Sequence, residues 1–250
     1  TPVKKIERTN TVLSFFGNDL LGTGSAFRGH QNYFEAPLYY CGLLPLLLLP
    51  LALARARGRR LAALLLLLGV VALPVIFPYF RRAAWAFTGD YYRDFCYFAV
   101  VTVLVFAIPV LNNLDGLAKR REKIVLGAAF LALSGVLFFG FPQDQERILR
   151  SAQNLAFVFL LGHTVLLFLA GQQTFRRWAL PGILLLVVVE VVAISYPSRN
   201  LRYMPEKGVP PADWKKSAIM SVEELKSRTG FNDYTHEALA FLGEQDQGFY

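Results

Sequence analysis

The sequence predicts an all-α fold, a polytopic bundle of transmembrane helices. Three observations indicate it: 54% of the 250 residues are hydrophobic, only 18% are charged, and six apolar stretches are long enough to cross a bilayer. Soluble domains carry about 25% charged residues, so water is not the main solvent of this chain. The formal net charge of +8 fits basic loops between spans better than a nucleic-acid-binding face, and we expect no nucleic-acid partner.

Each apolar stretch has the length that a membrane helix needs. About 20 residues cross the hydrocarbon core, because a helix rises about 1.5 Å per residue. The predicted spans are residues 37–54, 61–78, 95–114, 124–141, 154–172 and 179–196. Lipid offers backbone amides no hydrogen-bond partners, so each span is predicted to be helical. Together the spans define a transmembrane bundle over residues 37–196.

Basic residues cluster in alternate loops, and this predicts the orientation of the bundle. The loops after the first, third and fifth spans carry Arg55, Arg57, Arg59, Arg60, Lys119, Arg120, Arg121, Lys123, Arg176 and Arg177. Short basic loops stay in the cytoplasm. The opposite loops, 79–94 and 142–153, mix Arg with Asp and Glu and are predicted to lie outside. The same alternation puts residues 1–36 and 197–250 on the outer face.

The composition becomes polar after Tyr196, which separates residues 197–250 from the bundle. Prolines predict an extended connector there, and Ser221 with Glu224 forms a capping box that begins a short helix. We expect the start of an extracytoplasmic domain. The chain opens at Thr1 without a signal segment and stops without terminal character, which predicts a piece of a longer protein.

The sequence contains no phosphate-binding glycine loop, dinucleotide fingerprint, metal-ligand pair or nucleophile elbow. We therefore expect no cofactor and no metal. Cys41 and Cys96 lie at the outer edges of two apolar segments, and we do not expect a disulfide between them. Candidate functional residues are instead the polar groups that sit in an apolar solvent.

Glu190 is the clearest of these, because it interrupts the apolar sixth span. A carboxylate there costs at least about 2–3 kcal/mol, so it is expected to face a cavity or a cation, or to be protonated. Two interpretations stay open, a group that lines a substrate cavity and a structural hydrogen bond inside the bundle. His163, midway along the fifth span, is predicted to form an interhelical hydrogen bond rather than a proton relay.

The outer loop 79–94 gathers arginines and aromatic residues at the membrane surface. Arginine binds phosphate oxygens through two parallel hydrogen bonds, so Arg81, Arg82 and Arg93 are candidates for holding the head group of a phosphorylated lipid carrier. The alternative is interfacial anchoring, with Asp90 and Asp94 pairing the arginines.

The segment that leads into the first span also carries polar groups on the outer side. His30 and Glu35 offer an imidazole and a carboxylate, groups that suit sugar hydroxyls and acid–base chemistry. An ordinary loop is the alternative interpretation of this segment.

Two segments near the ends of the chain have distinctive sequences. The first runs from Asn32, Asn-Tyr-Phe-Glu-Ala-Pro-Leu-Tyr-Tyr-Cys-Gly, into the leucine-rich span, and Ser-Phe-Phe-Gly-Asn at Ser14 precedes it. The second begins at Gly230 and reads Gly-Phe-Asn-Asp-Tyr-Thr-His-Glu-Ala-Leu. Both segments, and the hydropathy between them, resemble the YfhO family of bacterial membrane proteins.

The resemblance implies a larger protein of the bacterial cytoplasmic membrane, similar to GT-C-like, polyprenol-dependent glycosyltransferases. In those enzymes an acidic residue of an early outer loop acts in catalysis. That loop would precede Thr1, so no catalytic residue is assigned in this chain. The implied partners are membrane lipids, a polyprenyl-phosphate-linked sugar and a cell-envelope polymer such as teichoic acid as acceptor.

Three functions remain open on the sequence. The first is an integral membrane glycosyltransferase that moves a sugar from a lipid-phosphate carrier to an envelope polymer on the outer face. The second is a transporter or flippase of lipid-linked saccharides, for which charges near the midplane and broken helices are typical. The third is a noncatalytic envelope anchor whose outer tail holds a partner.

Overall fold

The computed structural model describes residues 5–22, 27–29, 36–89 and 91–200. In this part of the chain the fold is all-α, as predicted, and no strand is present. The α-helices are α1 (Lys5–Leu13), α2 (Leu43–Arg55), α3 (Gly58–Ile76), α4 (Pro78–Ala84), α5 (Tyr92–Leu111), α6 (Arg120–Phe139), α7 (Arg150–Ala170) and α8 (Gln173–Asn200). Two 3₁₀ turns, Leu114–Ala118 and Pro142–Arg147, connect α5 to α6 and α6 to α7.

Five of the described helices, α3, α5, α6, α7 and α8, are long and apolar enough to cross a membrane. They correspond to the second to sixth predicted spans, with ends that differ by a few residues. The chain is a multi-pass membrane protein by this criterion. α3 buries only 6% of its apolar stretch inside the protein. Its leucines are therefore exposed on the surface of the bundle, as expected for side chains that face lipid.

The first predicted span differs from the expectation. A helix beginning at residue 37 is wrong, because residues 37–42 are not helical and α2 begins only at Leu43. α2 has 13 residues and is about 20 Å long, too short to cross the hydrocarbon core. Pro37 restricts the backbone of the residue before it. Gly42 has φ +94°, which is outside the helical range, so α2 does not extend back through this residue. The first span thus consists of a short nonhelical segment followed by a helix.

α2 is the most enclosed of the apolar helices. It packs against α5, α6 and α7, and its buried residues are Leu43, Leu44, Leu46, Leu47, Leu48, Leu51 and Ala52. Lipid tails are as apolar as leucine, so dense van der Waals packing rather than the hydrophobic effect favours these contacts. The helical half of the first span therefore lies between helices and not against lipid.

α1 ties together the segments predicted to lie on one face. Its Thr9 hydroxyl donates to Asp144 Oδ2 at 2.7 Å, and its Glu7 carboxylate lies 3.7 Å from the Arg81 guanidinium. Thr11 contacts the Tyr92 hydroxyl. Residues from 1–36, 79–94 and 142–153 therefore meet at one end of the bundle, as the predicted alternation requires. That this end faces the outside stays a prediction.

The basic loops meet at the other end. The Arg55 guanidinium pairs with Glu122, and Arg176 pairs with Asp115 in the turn that follows α5. α5 ends at Leu111, three residues before the predicted end of the third span. α8 continues to Asn200, four residues past the predicted boundary. The rest of the predicted outer domain, from residue 201 to residue 250, lies outside the described residues.

Candidate functional site

The Glu190 carboxylate is the centre of a buried polar cluster where α2, α7 and α8 meet. Its Oε1 accepts a hydrogen bond from the Leu43 backbone N–H at 2.7 Å and another from the Tyr40 hydroxyl at 2.6 Å. Its Oε2 lies 2.5 Å from His163 Nε2. Glu190 is 1% exposed and His163 is fully buried. We call these groups, Glu190, His163, Tyr40 and the Leu43 amide, the Glu190 cluster.

The position of the carboxylate follows from the way α2 begins. The first N–H groups of any helix have no partner inside the helix, and the residue before α2, Gly42, makes no side-chain cap. Glu190 from α8 supplies the missing acceptor to Leu43. The positive end of the α2 dipole adds favourable electrostatics, worth up to about 2 kcal/mol in partly buried geometries. A carboxylate from another helix thus caps α2 inside the bundle.

Glycine is required where the extended segment turns into α2. Gly42 has φ +94° and ψ 151°, a backbone conformation that residues other than glycine rarely adopt. A Cβ on Gly42 would lie 3.5 Å from Pro45 and 3.9 Å from Glu190 Oε1. Space is therefore adequate for a methyl group, and the backbone conformation is what makes glycine necessary.

The side chains of residues 39 and 40 contact different parts of the protein. Tyr40 reaches Glu190, whereas the Tyr39 ring stacks on Phe15 with centroids 4.6 Å apart and meets Tyr92 edge-on at 6.1 Å. The Leu38 N–H donates to Cys96 Sγ at 3.2 Å. The Leu38 N–H of this nonhelical stretch thus finds a partner in protein, as irregular backbone at membrane depth requires.

The Glu190–His163 contact needs one proton, which either the imidazole or the carboxyl group can carry. The other ring nitrogen, His163 Nδ1, is buried without a hydrogen-bond partner among the described residues. The prediction of an interhelical hydrogen bond at His163 is confirmed. For Glu190, the structural alternative describes what is present. Among the described residues, three partners enclose the carboxylate, which is 1% exposed, so its role in binding substrate stays a prediction that would require the site to open.

Arg81 and Arg82 follow each other on α4 but have different surroundings. Arg81 is 1% exposed and its Nη1 donates to the Pro74 carbonyl at 3.0 Å. Its guanidinium lies 3.6 Å from the centre of the Tyr92 ring, in addition to the ion pair with Glu7. Such stacking and pairing commit the cation to holding α1 and α4 against α5. Arg82 is exposed.

Arg93, in the first turn of α5, is half-buried. Exposed aromatic side chains surround this end of α3, α4 and α5: Phe77, Tyr79, Phe80, Phe87 and Tyr91. Among these, Tyr79 and Tyr91 have the polar edge that is typical of aromatic rings at the membrane–water interface. Asp94 is exposed, and Asp90 lies outside the described residues. His30 and Glu35, predicted as sugar-binding groups, also lie outside them.

Sequence reasoning missed two partners in these clusters. It did not predict the contacts of Tyr40 with Glu190 or of Glu7 with Arg81. The sequence did indicate the pairing of His163 with Glu190, because they are the deepest ionisable residues of two consecutive, antiparallel spans. No group of His, Cys, Asp and Glu side chains that could hold a metal ion is present among the described residues.

The chain matches no family model, no curated protein and no solved structure.

Proposed function

We propose that this chain is part of an integral membrane glycosyltransferase-like protein that uses a polyprenyl-phosphate-linked sugar and a cell-envelope polymer acceptor. The proposal combines the resemblance to the YfhO family with one observation, the position of Arg82 and Arg93 among exposed aromatic rings at one end of the bundle. A lipid carrier presents its phosphate at this depth, where guanidinium groups can bind it.

Because Arg81 is buried, only Arg82 and Arg93 of the three candidate arginines are proposed to contact the lipid carrier. Arg81 is held by Glu7, Pro74 and Tyr92, so withdrawing it would leave the Glu7 carboxylate without its guanidinium. Arg82 is exposed and Arg93 half-buried, and neither takes part in the contacts of Arg81 with Glu7, Pro74 and Tyr92. In this proposal Arg82 and Arg93 bind the carrier phosphate, Arg81 supports them, and Glu190 holds the bundle together. The catalytic base lies elsewhere in the protein.

The experiment is sugar transfer from a radiolabelled lipid-linked donor by the full-length protein in proteoliposomes. Arg82→Gln with Arg93→Gln is expected to reduce transfer, mainly by raising the KM for the donor, because each cation lost near the surface weakens phosphate binding by about 1 kcal/mol. Arg177→Gln is the matched control, since this exposed arginine lies at the opposite end beside Trp178. Unchanged transfer in the double variant would contradict the proposed carrier contact. No transfer by the unmodified protein would contradict the proposal that it is a glycosyltransferase.

A transporter or flippase of lipid-linked saccharides is the second candidate. It is favoured by the nonhelical break before α2 together with the Glu190–His163 pair at that break, because broken helices with ionisable groups mark many transport sites. The same radiolabelled donor separates the two functions. An enzyme converts the label into a new glycoside, whereas a flippase moves unchanged donor to the other leaflet.

A further inference from the structure

A pocket of about 280 Å³ lies at the basic end of the bundle. It forms where the last turns of α2 and α5 meet the first turns of α3 and α6. Ala52 and Val110 form its buried apolar floor, and Arg60 and Lys119 are its exposed cations. Pockets that bind small molecules usually measure about 300–1,000 Å³. This one therefore suits a compact head group rather than a whole nucleotide sugar.

Two further charges in the pocket neutralise each other. Arg55 Nε donates to Glu122 Oε2 at 2.8 Å, and its Nη1 donates to the Asn113 carbonyl at 2.7 Å. Glu122 is 8% exposed, so this pair belongs to the wall of the pocket. The remaining cations, Arg60 and Lys119, have no ion-pair partner among the described residues. They leave the pocket with an uncompensated charge of about +2, which favours an anion.

The surface beside the pocket is apolar. On α5, Ile108 is 53% exposed and Leu111 38% exposed, and on α3 Leu65 and Leu66 are 50% and 69% exposed. A ligand that places an anion between Arg60 and Lys119 would have lipid-facing helices beside it. Both features together match an amphiphile with a phosphate in its head group.

We propose that this pocket binds the phosphodiester head group of an anionic phospholipid. The cations Arg60 and Lys119 contact the phosphate, and the acyl chains lie along the exposed faces of α3 and α5. The site is at the opposite end of the bundle from Arg82 and Arg93, and it does not depend on the proposed transferase activity. It follows that the loops after α2 and α5 sit at the surface of the leaflet that carries anionic lipid.

The test compares two double variants of the full chain purified in detergent. Arg60→Gln with Lys119→Gln removes the pocket cations. Arg59→Gln with Arg120→Gln removes the same charge from exposed residues of the same loops that do not line the pocket. Titration with phosphatidylglycerol, followed by native mass spectrometry, gives the dissociation constants. All four substituted residues are exposed, so both variants are expected to fold.

The pocket variant is expected to bind phosphatidylglycerol about thirty-fold more weakly, from the loss of two basic residues at the membrane surface. The control variant is expected to keep most of its affinity, and phosphatidylcholine to bind the unmodified chain more weakly than phosphatidylglycerol. Equal losses in the two variants would show general surface attraction and overturn the site. Complete displacement of the lipid by inorganic phosphate would make it a site for free phosphate, and would overturn the lipid assignment.

Discussion

Replacing Glu190 with alanine leaves three groups without their hydrogen-bond partner. The Leu43 amide and the Tyr40 hydroxyl both depend on Oε1, and His163 Nε2 depends on Oε2. A hydrogen bond between membrane helices is worth about 0.6 kcal/mol on average and up to about 1.7 kcal/mol. For three such bonds, Glu190→Ala is expected to lower the free energy of unfolding by roughly 2–5 kcal/mol.

Glutamine at this position is expected to cost less. Its carbonyl oxygen can still accept from Leu43 and Tyr40, and its amide can donate to His163, whose Nδ1 has no partner among the described residues that would fix the tautomer. The loss is then the charge assistance of these bonds, about 1 kcal/mol. Val191→Ala is the control, since Val191 is the next residue and is 45% exposed. Its effect is expected to stay within about 0.5 kcal/mol.

The assay is reversible unfolding in mixed micelles, titrated with a denaturing detergent and followed by the helical circular dichroism signal. The expected order of destabilisation is Glu190→Ala, then Glu190→Gln, then Val191→Ala. If alanine were no more destabilising than glutamine, the three hydrogen bonds would not stabilise the folded state, and the capping role of Glu190 would be refuted.

Two other predictions concern the backbone before α2 and the ion pair at its end. Gly42→Ala is expected to lower the free energy of unfolding by about 1–3 kcal/mol because φ is +94°. Gly69→Ala, with nothing within 4 Å of its Cβ, is expected to be neutral or stabilising by up to about 1 kcal/mol. Equal effects in the same unfolding assay would contradict the strain. Arg55→Ala and Glu122→Ala are expected to be non-additive, with a coupling of at least about 0.5 kcal/mol. Strict additivity would show that the pair stabilises nothing.

Much of the fold was predictable because lipid leaves a helix few alternatives. Length and apolar composition located α3, α5, α6, α7 and α8, and the basic loops grouped the ends of the spans correctly. The prediction of the first span failed because its nonhelical segment, residues 37–42, depends on tertiary contacts. Hydropathy counts apolar residues from 37 onward, but it does not reveal that Glu190, 147 residues further along than Leu43, supplies the acceptor that lets a helix begin inside the bundle.

The polar site was predictable in its members but not in its geometry. A carboxylate and an imidazole in neighbouring spans stand out by their cost in lipid, whereas Tyr40 looks like any aromatic residue at a membrane surface. The arginines show the same limit. Arg81 and Arg82 are adjacent and identical in sequence, yet the turn of α4 buries one against Glu7 and Tyr92 and exposes the other.

Glu190 and His163 hold α7 and α8 together at the point where α2 begins. A double-mutant cycle with Glu190→Leu and His163→Leu, in which free energies of unfolding are measured in mixed micelles, tests this role most directly. We predict that the double variant is less destabilised than the sum of the two single variants by about 0.6–1.7 kcal/mol. Additive effects, with a coupling near zero, would contradict the claim.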